Sequence, residues 1–234
     1  MKLLAFDTST ETLSIALQHG QAGSHAPLEH TGQGGALASA TLIPAIQDLL
    51  ARAGIRLDEL DAIVFGRGPG SFTGLRTACS VAQGLAFGSG VPVLAVDTLL
   101  AVAEDAWHRE GANELVTLLD ARMGEVYWAA YARTDGGWAR RGDLGLDRPE
   151  AVVLPPGWLL AGNAFAAHGG ALPGTARRIE AMPTAAALLR LAPALLAAGQ
   201  AGPAAAAAPL YIRDKVAQTT QERAALRAAA PTTP

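Results

Sequence analysis

Two stretches of the chain carry residue types that could do chemistry. Asp7-Thr8-Ser9-Thr10 sets a carboxylate beside three hydroxyls, a group able to surround a phosphate while the acid reaches a magnesium-bound water. Its plain alternative is a hairpin turn rich in turn formers. Gly66-Arg67-Gly68-Pro69-Gly70-Ser71-Phe72-Thr73-Gly74-Leu75-Arg76 packs four glycines and a proline into eleven residues ahead of a helix. Glycine admits positive φ and the close approach of another backbone, and Ser71 or Thr73 could cap the first helical amides. Such a loop can hold an anion at a helix N-terminus. A Walker-type phosphate loop is excluded, because Leu75 rather than lysine follows the last glycine and Arg76 already lies in the helix. The competing reading is a tight strand-to-helix connection packed against another element.

Other chemistries find less support. His19, His25, His30, His108 and His168 are scattered without metal-ligand spacing, and no Ser, His, Asp or Cys, His constellation can be assembled from neighbouring motifs. Cys79, the single cysteine, falls on the apolar side of a predicted helix, where core packing is its expected role. Disulfides within the chain are impossible, which fits a reducing compartment.

The elements that must position these groups follow from periodicity. Leu3 to Asp7 and Thr12 to Gln18 read as strands of a β-hairpin with the hydroxyl-rich turn at its tip, and a weaker third strand is expected between Ser24 and His30. A helix is expected from about Ala36 to Ala53, stopped by Gly54, with Pro44 kinking it or marking its true start one turn later. Ala62 to Phe65 is a buried strand leading into the glycine loop, and Thr73 to Phe87 an amphipathic helix. Val91 to Val96 is a strand, followed by a helix capped by Asp97 or Thr98 and running to about Arg109. Beyond Gly111, Leu115 to Leu119 ends at Asp120, and the turn Ala121-Arg122-Met123-Gly124 leads to a strand from Glu125 to Arg133. This repeats the plan of strand, acid, turn, strand seen at residues 3–18, and suggests duplication. Residues 134–156 read as loops around edge strands. Trp158 to Ala161 is a short strand, with helices at Ala164 to His168 and Thr184 to Ala198. Gly199 to Pro209 reads as an alanine- and proline-rich linker, and residues beyond Val216 as a polar, mobile tail.

The 234 residues allow one large or two small domains, and with 50% hydrophobic and 17% charged residues they describe a folded protein. The net charge is −3 and the lysines are Lys2 and Lys215, so no lysine-rich stripe is available to neutralise many phosphates. Asp7 ends the N-terminal apolar run after four residues, which argues for a strand and against a signal peptide. Arg190, Pro193, Gln200 and Pro203 interrupt the alanine-rich region, and a membrane span is not expected. A cytosolic location is the expectation.

The strings Leu4-Ala5-Phe6-Asp7-Thr8-Ser9-Thr10, Gly66 to Arg76, Leu119-Asp120-Ala121-Arg122-Met123-Gly124-Glu125-Val126-Tyr127-Trp128 and Tyr211-Ile212-Arg213 together resemble the TsaB (YeaZ-like) family. Its members are non-catalytic partner subunits in bacterial biosynthesis of threonylcarbamoyladenosine in tRNA. The likeness covers most of residues 2–131 and returns near the C-terminus, while 134–208 match poorly. It implies an α/β fold of the actin, Hsp70 and sugar-kinase (ASKHA) kind, with two related subdomains of mixed sheet and flanking helices. These would span residues 1–110 and 111–213, followed by a mobile tail at 214–234.

The resemblance also implies site residues. In that superfamily a nucleotide lies between two acid-bearing turns, so a degenerate nucleotide cleft is implied at Asp7, Thr8, Ser9, Thr10, Asp120, Arg122 and Gly162. Ala121, Arg122 and Met123 stand where glycines would make room, and the adenosine-side glycine cluster is reduced to Gly162-Asn163. Weak binding of ATP or ADP with magnesium, or none, is implied, with no catalytic or metal-binding residue. TsaB proteins pair with the catalytic paralogue TsaD through the helices that match 36–53 and 73–87, and with themselves when TsaD is absent. The ATPase TsaE and the enzyme TsaC complete the pathway, and tRNA would be met mainly through these partners. The implied interface takes in Gly68, Pro69, Gly70, Ser71, Phe72, Thr73, Gly74 and Arg76 of the loop, with Ala36, Ala40 and Ala78 on the small-residue helix faces. The His-x-x-x-His pair of the paralogue has no counterpart on the helix at 36–53, which disfavours a zinc peptidase. The runner-up is an ATP-dependent small-molecule kinase or ATPase of the same fold, with Asp7 organising magnesium.

Overall fold

The computed structural model describes residues 1–20, 26–174 and 177–213. It contains two five-stranded mixed sheets of the same topology. In the first, β1 (Leu3–Asp7), β2 (Thr12–Gln18) and β3 (Leu28–Gln33) form an antiparallel meander, and β4 (Ala62–Gly68) and β5 (Val93–Asp97) add in parallel beside β1, giving the order β3-β2-β1-β4-β5. In the second, β6 (Glu114–Asp120), β7 (Val126–Thr134) and β8 (Gly137–Asp147) form the meander, with β9 (Leu159–Gly162) and β10 (Arg178–Glu180) parallel beside β6. The duplicated plan and the expected α/β class of two related mixed sheets with flanking helices are thus both observed.

Alternation along the strands sorts the core into layers. Leu4, Phe6, Leu13, Ile15, Leu17, Ile63 and Phe65 point to one face of the first sheet. There they meet Leu42, Ile46 and Leu49 of α1 (Ala38–Ala53) and Ala78, Cys79, Ala82 and Ala86 of α2 (Phe72–Ser89). Leu3, Ala5, Ala16, Ala62 and Val64 face the other way, against α5 (Ala185–Ala197). Alanines on both sides of that layer let the helix lie close to the sheet. The helix after β5, α3 (Thr98–Glu110), packs on the second sheet through Leu99, Val102, Ala103 and Ala106. Each half's last helix therefore covers part of the other half, which ties the two sheets into one body.

Several expectations are corrected. The third strand runs over Leu28–Gln33, because pairing Thr12 with Gln33 and Leu17 with Leu28 fixes its register; its expected start at Ser24 lies outside the described residues. Pro44 sits inside a continuous helix rather than at its start. Residues 137–147 form a full edge strand, and β10 had no counterpart in the sequence reading. Ser71 and Asp97 occupy helix N-cap positions without side-chain caps: Asp97 is instead held by Arg67 at 2.7 Å and Arg140 at 3.4 Å. The segment at 199–209 is not a loose linker, since Gly202 and Val93 exchange backbone hydrogen bonds of 2.9 Å and the Cys79 Sγ–H donates to the Ala207 carbonyl at 3.2 Å. The tail expected from residue 214 lies outside the described residues. Among those residues no helix is long and apolar enough to cross a membrane.

Candidate functional site

The first turn and the glycine loop are one unit. Asp7 ends β1 and is 1% exposed; its Oδ1 accepts from the Ser9 backbone N–H at 2.8 Å and the Ser9 hydroxyl at 2.6 Å. Its Oδ2 is buried without a partner. Burial pushes the carboxyl up to about 6, against the pull of the two bonds from Ser9. The loop nests on this turn through its glycines. A Cβ on Gly66 would overlap Asp7 Oδ2, one on Gly70 would sit 2.6 Å from the Ser9 carbonyl oxygen, and one on Gly74 would overlap the Thr8 carbonyl. The Thr8 hydroxyl donates to the Gly74 carbonyl at 2.7 Å, and the Ser71 N–H to the Ser9 carbonyl at 2.7 Å. The reading of a tight connection packed against another element describes this loop.

The second turn is bridged by side chains instead. Asp120 Oδ1 accepts from the Arg122 backbone N–H at 2.9 Å and lies 3.1 Å from His168 Nε2, while Oδ2 pairs with the Arg122 guanidinium at 3.3 Å. The Asn163 side-chain carbonyl accepts from the Asp120 N–H. Arg122 and Met123 adopt positive φ values of 60° and 57°, and the Arg122 guanidinium crosses to Glu11 of the first turn.

Between the turns lies a cleft of about 280 Å³, lined by Ser9, Thr10, Ser71, Phe72, Asp120 and Arg122 among others. Leu210 to Arg213 also line it. Of the expected cleft residues, Ser9, Thr10, Asp120 and Arg122 are brought together there. Asp7, Thr8 and Gly162 are not: Asp7 and Thr8 are buried beneath the loop, and Gly162, at φ 148°, is buried against the Leu118 carbonyl, where a Cβ would overlap it. The participation of Tyr127 and of the segment 210–213 was missed, while the sequence marks Asn163 only with Gly162, as the reduced glycine cluster. Nothing in their spacing indicated a common site, although Tyr211-Ile212-Arg213 stood out as a motif.

These residues do not fit a magnesium nucleotide held between two acids. The first acid is enclosed, the Thr8 and Ser9 hydroxyls and the Ser71 amide already have partners within the fold, and the Arg122 side chain spans the gap. Among the described residues no three His, Cys, Asp or Glu side chains are grouped as a metal ion would need.

The residues expected at a partner interface divide in two. Ala36, Ala40, Ser71, Phe72, Thr73 and Arg76 are exposed. Gly68, Pro69, Gly74 and Ala78 are buried and Gly70 is half-buried against Ser9, which corrects their placement on a partner-facing surface. Ala78 follows the same three-and-four series as Leu75, Cys79 and Ala82, and that series faces the sheet. Exposed apolar side chains on or beside the two helices include Leu37 just before α1 (51% exposed), Ile43 (41%) and Phe87 (85%), and Gly84 stands beside open space.

Comparison with known proteins bears on this geometry. A family model described as TsaD, tRNA N6-adenosine threonylcarbamoyltransferase, matches residues 36–224. The chain is 36% identical over 231 residues to the tRNA threonylcarbamoyladenosine biosynthesis protein TsaB of Escherichia coli (strain K12), covering 93% of this chain and 96% of that one. It is 42% identical over 137 residues to the TsaB of Haemophilus influenzae, covering 57% of this chain and 55% of that one. The solved structure of YeaZ from Pseudomonas aeruginosa superposes with a TM-score of 0.82 at 39% identity, covering 90% of this chain and 99% of YeaZ.

Proposed function

The chain belongs to the TsaB family of tRNA threonylcarbamoyladenosine biosynthesis proteins, and from that premise we propose that it is a non-catalytic scaffold and activator in this modification. The reaction it serves transfers a threonylcarbamoyl group to N6 of adenosine 37 in tRNAs reading codons that begin with A. The chemistry lies with the paralogue TsaD, with TsaE as the accompanying ATPase. The observation that carries the reading is the state of the first turn: its acid is buried beneath the glycine loop, its Ser9 hydroxyl is turned onto that acid, and its Thr8 hydroxyl is turned onto the loop's Gly74 carbonyl. An acid enclosed beneath the loop, and hydroxyls turned onto partners inside the fold, are not free to organise a metal-bound phosphate.

The exposed apolar side chains on or beside α1 and α2 support the second half of the proposal. Leu37, Ile43 and Phe87 expose apolar surface around small residues, the composition of a surface that meets a partner. On this reading residues 1–110 present α1 and α2 to TsaD, or to a second copy of the chain when TsaD is absent. Residues 111–213 form the related second subdomain, and tRNA is contacted mainly through the partners.

The test is tRNA modification in vitro with purified TsaC, TsaD, TsaE, ATP, threonine and bicarbonate, with and without this chain. Modified adenosine is expected only when the chain is added, while the chain alone turns over no ATP. Modification that is indifferent to the chain, or ATP turnover by the isolated chain, overturns the proposal in favour of a small-molecule kinase.

A further inference from the structure

Four consecutive residues change allegiance from one half of the molecule to the other. The Leu210 N–H donates to the Arg67 carbonyl at 2.7 Å, and the Tyr211 ring lies against Phe72 with centroids 5.3 Å apart. The Tyr211 hydroxyl accepts from Arg76 Nε at 3.0 Å, and the Arg76 guanidinium lies 3.9 Å above the Phe72 ring. These contacts fall on the end of β4 and on the first turns of α2. One residue on, Ile212 packs into the core beneath the second sheet. Arg213 then donates to the Ala121 carbonyl at 3.0 Å and to Glu125 at 2.7 Å, both on the turn that follows β6. Gly68 makes the crossing possible: at φ 121° it leaves a space that the Leu210 carbonyl fills, 2.6 Å from where a Cβ would stand.

We propose that Leu210 to Arg213 is a clasp, in which the chain's own segment takes the place of a small ligand at the cleft and holds the start of α2, which rests on the first turn, in register with the second turn. Elsewhere the halves meet through α3 and α5, through the Arg140 and Asp97 pair, and through residues 202–207, which lie against Val93 and α2. At the cleft itself the remaining tie between the two turns among the described residues is the exposed Arg122 and Glu11 pair, and exposed pairs hold weakly. The clasp adds a hydrogen bond to the end of β4, a hydrogen bond and a ring contact to the start of α2, and two hydrogen bonds to the second turn, and the backbone from residue 210 to 213 joins the two sets. A change on one side must therefore be felt on the other.

Amide hydrogen exchange on the full chain tests this. Tyr211→Ala removes a hydrogen bond and a ring contact in the first half only. The clasp requires that it also speed exchange, about fivefold or more, at the Ala121 and Glu125 amides of the second turn, which bond to the Glu125 and Arg122 carbonyls. Arg213→Ala must do the converse at the Ser71 and Leu210 amides. Arg213→Gln, which shortens the side chain but keeps a donor and the apolar stem, serves with the same cross-half readout if the alanine variant does not fold. Amides of β1 and β6 are the internal reference and should not change. Effects confined to the half that holds the substituted side chain, or no effect on either turn, overturn the proposal.

Discussion

The first and second turns descend from the same plan of strand, acid, turn, strand, yet they keep their acids in opposite ways. Asp7 is enclosed by backbone, because Gly66, Gly70 and Gly74 let the loop close on the turn. Asp120 is held by charged and polar side chains from Arg122, His168 and Asn163 and stays partly open to water. The sequence cause lies after the equivalent strands. Past β4 come the rest of the glycine-rich loop and the long helix α2; β9 ends on Gly162 and is followed by Asn163 and the single turn α4 (Phe165–His168). A backbone-packed turn cannot tolerate added atoms but needs no charge, whereas a side-chain-bridged turn tolerates atoms and depends on charge.

Glycine substitutions should break the symmetry most. Gly74→Ala places a methyl group onto the Thr8 carbonyl, where backbone must move on both sides. A loss on the order of 3 kcal/mol or more, or failure to fold, is expected in urea unfolding. Gly124→Ala in the second turn meets open space and bears only the strain of φ 78°, roughly 1 kcal/mol. Equal losses at the two sites would refute the contrast.

Much of this was legible and some was not, for physical reasons. The hairpins at 3–18 and 115–133 announce themselves through alternation ended by an acid and a turn. The edge strand β8 does not, because Arg140, Arg141, Gly142 and Asp143 in its middle are exposed and leave no apolar period to read. The ordered run to Ala207 has a linker's composition, and only its pairing with Val93 and its bond from Cys79 give it a place. Within α2 the spacing of Leu75, Ala78, Cys79 and Ala82 already put Ala78 on the inward face. Its small size alone suggested a partner's helix, since small residues serve both ends. That the glycine loop and the first turn are a single unit was beyond the sequence, because the contacts join residues more than sixty positions apart.

Acidity separates the turns next. The Asp7 carboxyl titrates near 6 in the fold against an ordinary value of 3.8, so the folded chain binds the extra proton between these limits. Stability from this group is therefore greatest below about 4 and declines as the pH rises through 6, by on the order of 3 kcal/mol over the window. Asp7→Asn, neutral throughout, should flatten that part of the stability curve when urea midpoints are compared at pH 4.5 and 7.5. An unchanged slope would mean that Asp7 is not enclosed as the loop contacts indicate.

The smallest effect belongs to Arg122, and two substitutions there divide it. Its side chain is 67% exposed, so its pairs with Glu11 and Asp120 should contribute well under ~1 kcal/mol and fade with added salt. Arg122→Ala keeps the left-handed backbone and removes only those pairs, giving a small loss that vanishes in high salt. Arg122→Gly removes the same pairs but relieves a φ of 60°, which costs a non-glycine residue about 1 kcal/mol. The glycine variant should thus be more stable than the alanine variant, by an amount that salt does not change. If the alanine variant is the more stable, the bridge is not held by its charges against a strained backbone. The turn would then be fixed by its backbone as the first one is, and the contrast between the two would fail at its weaker end.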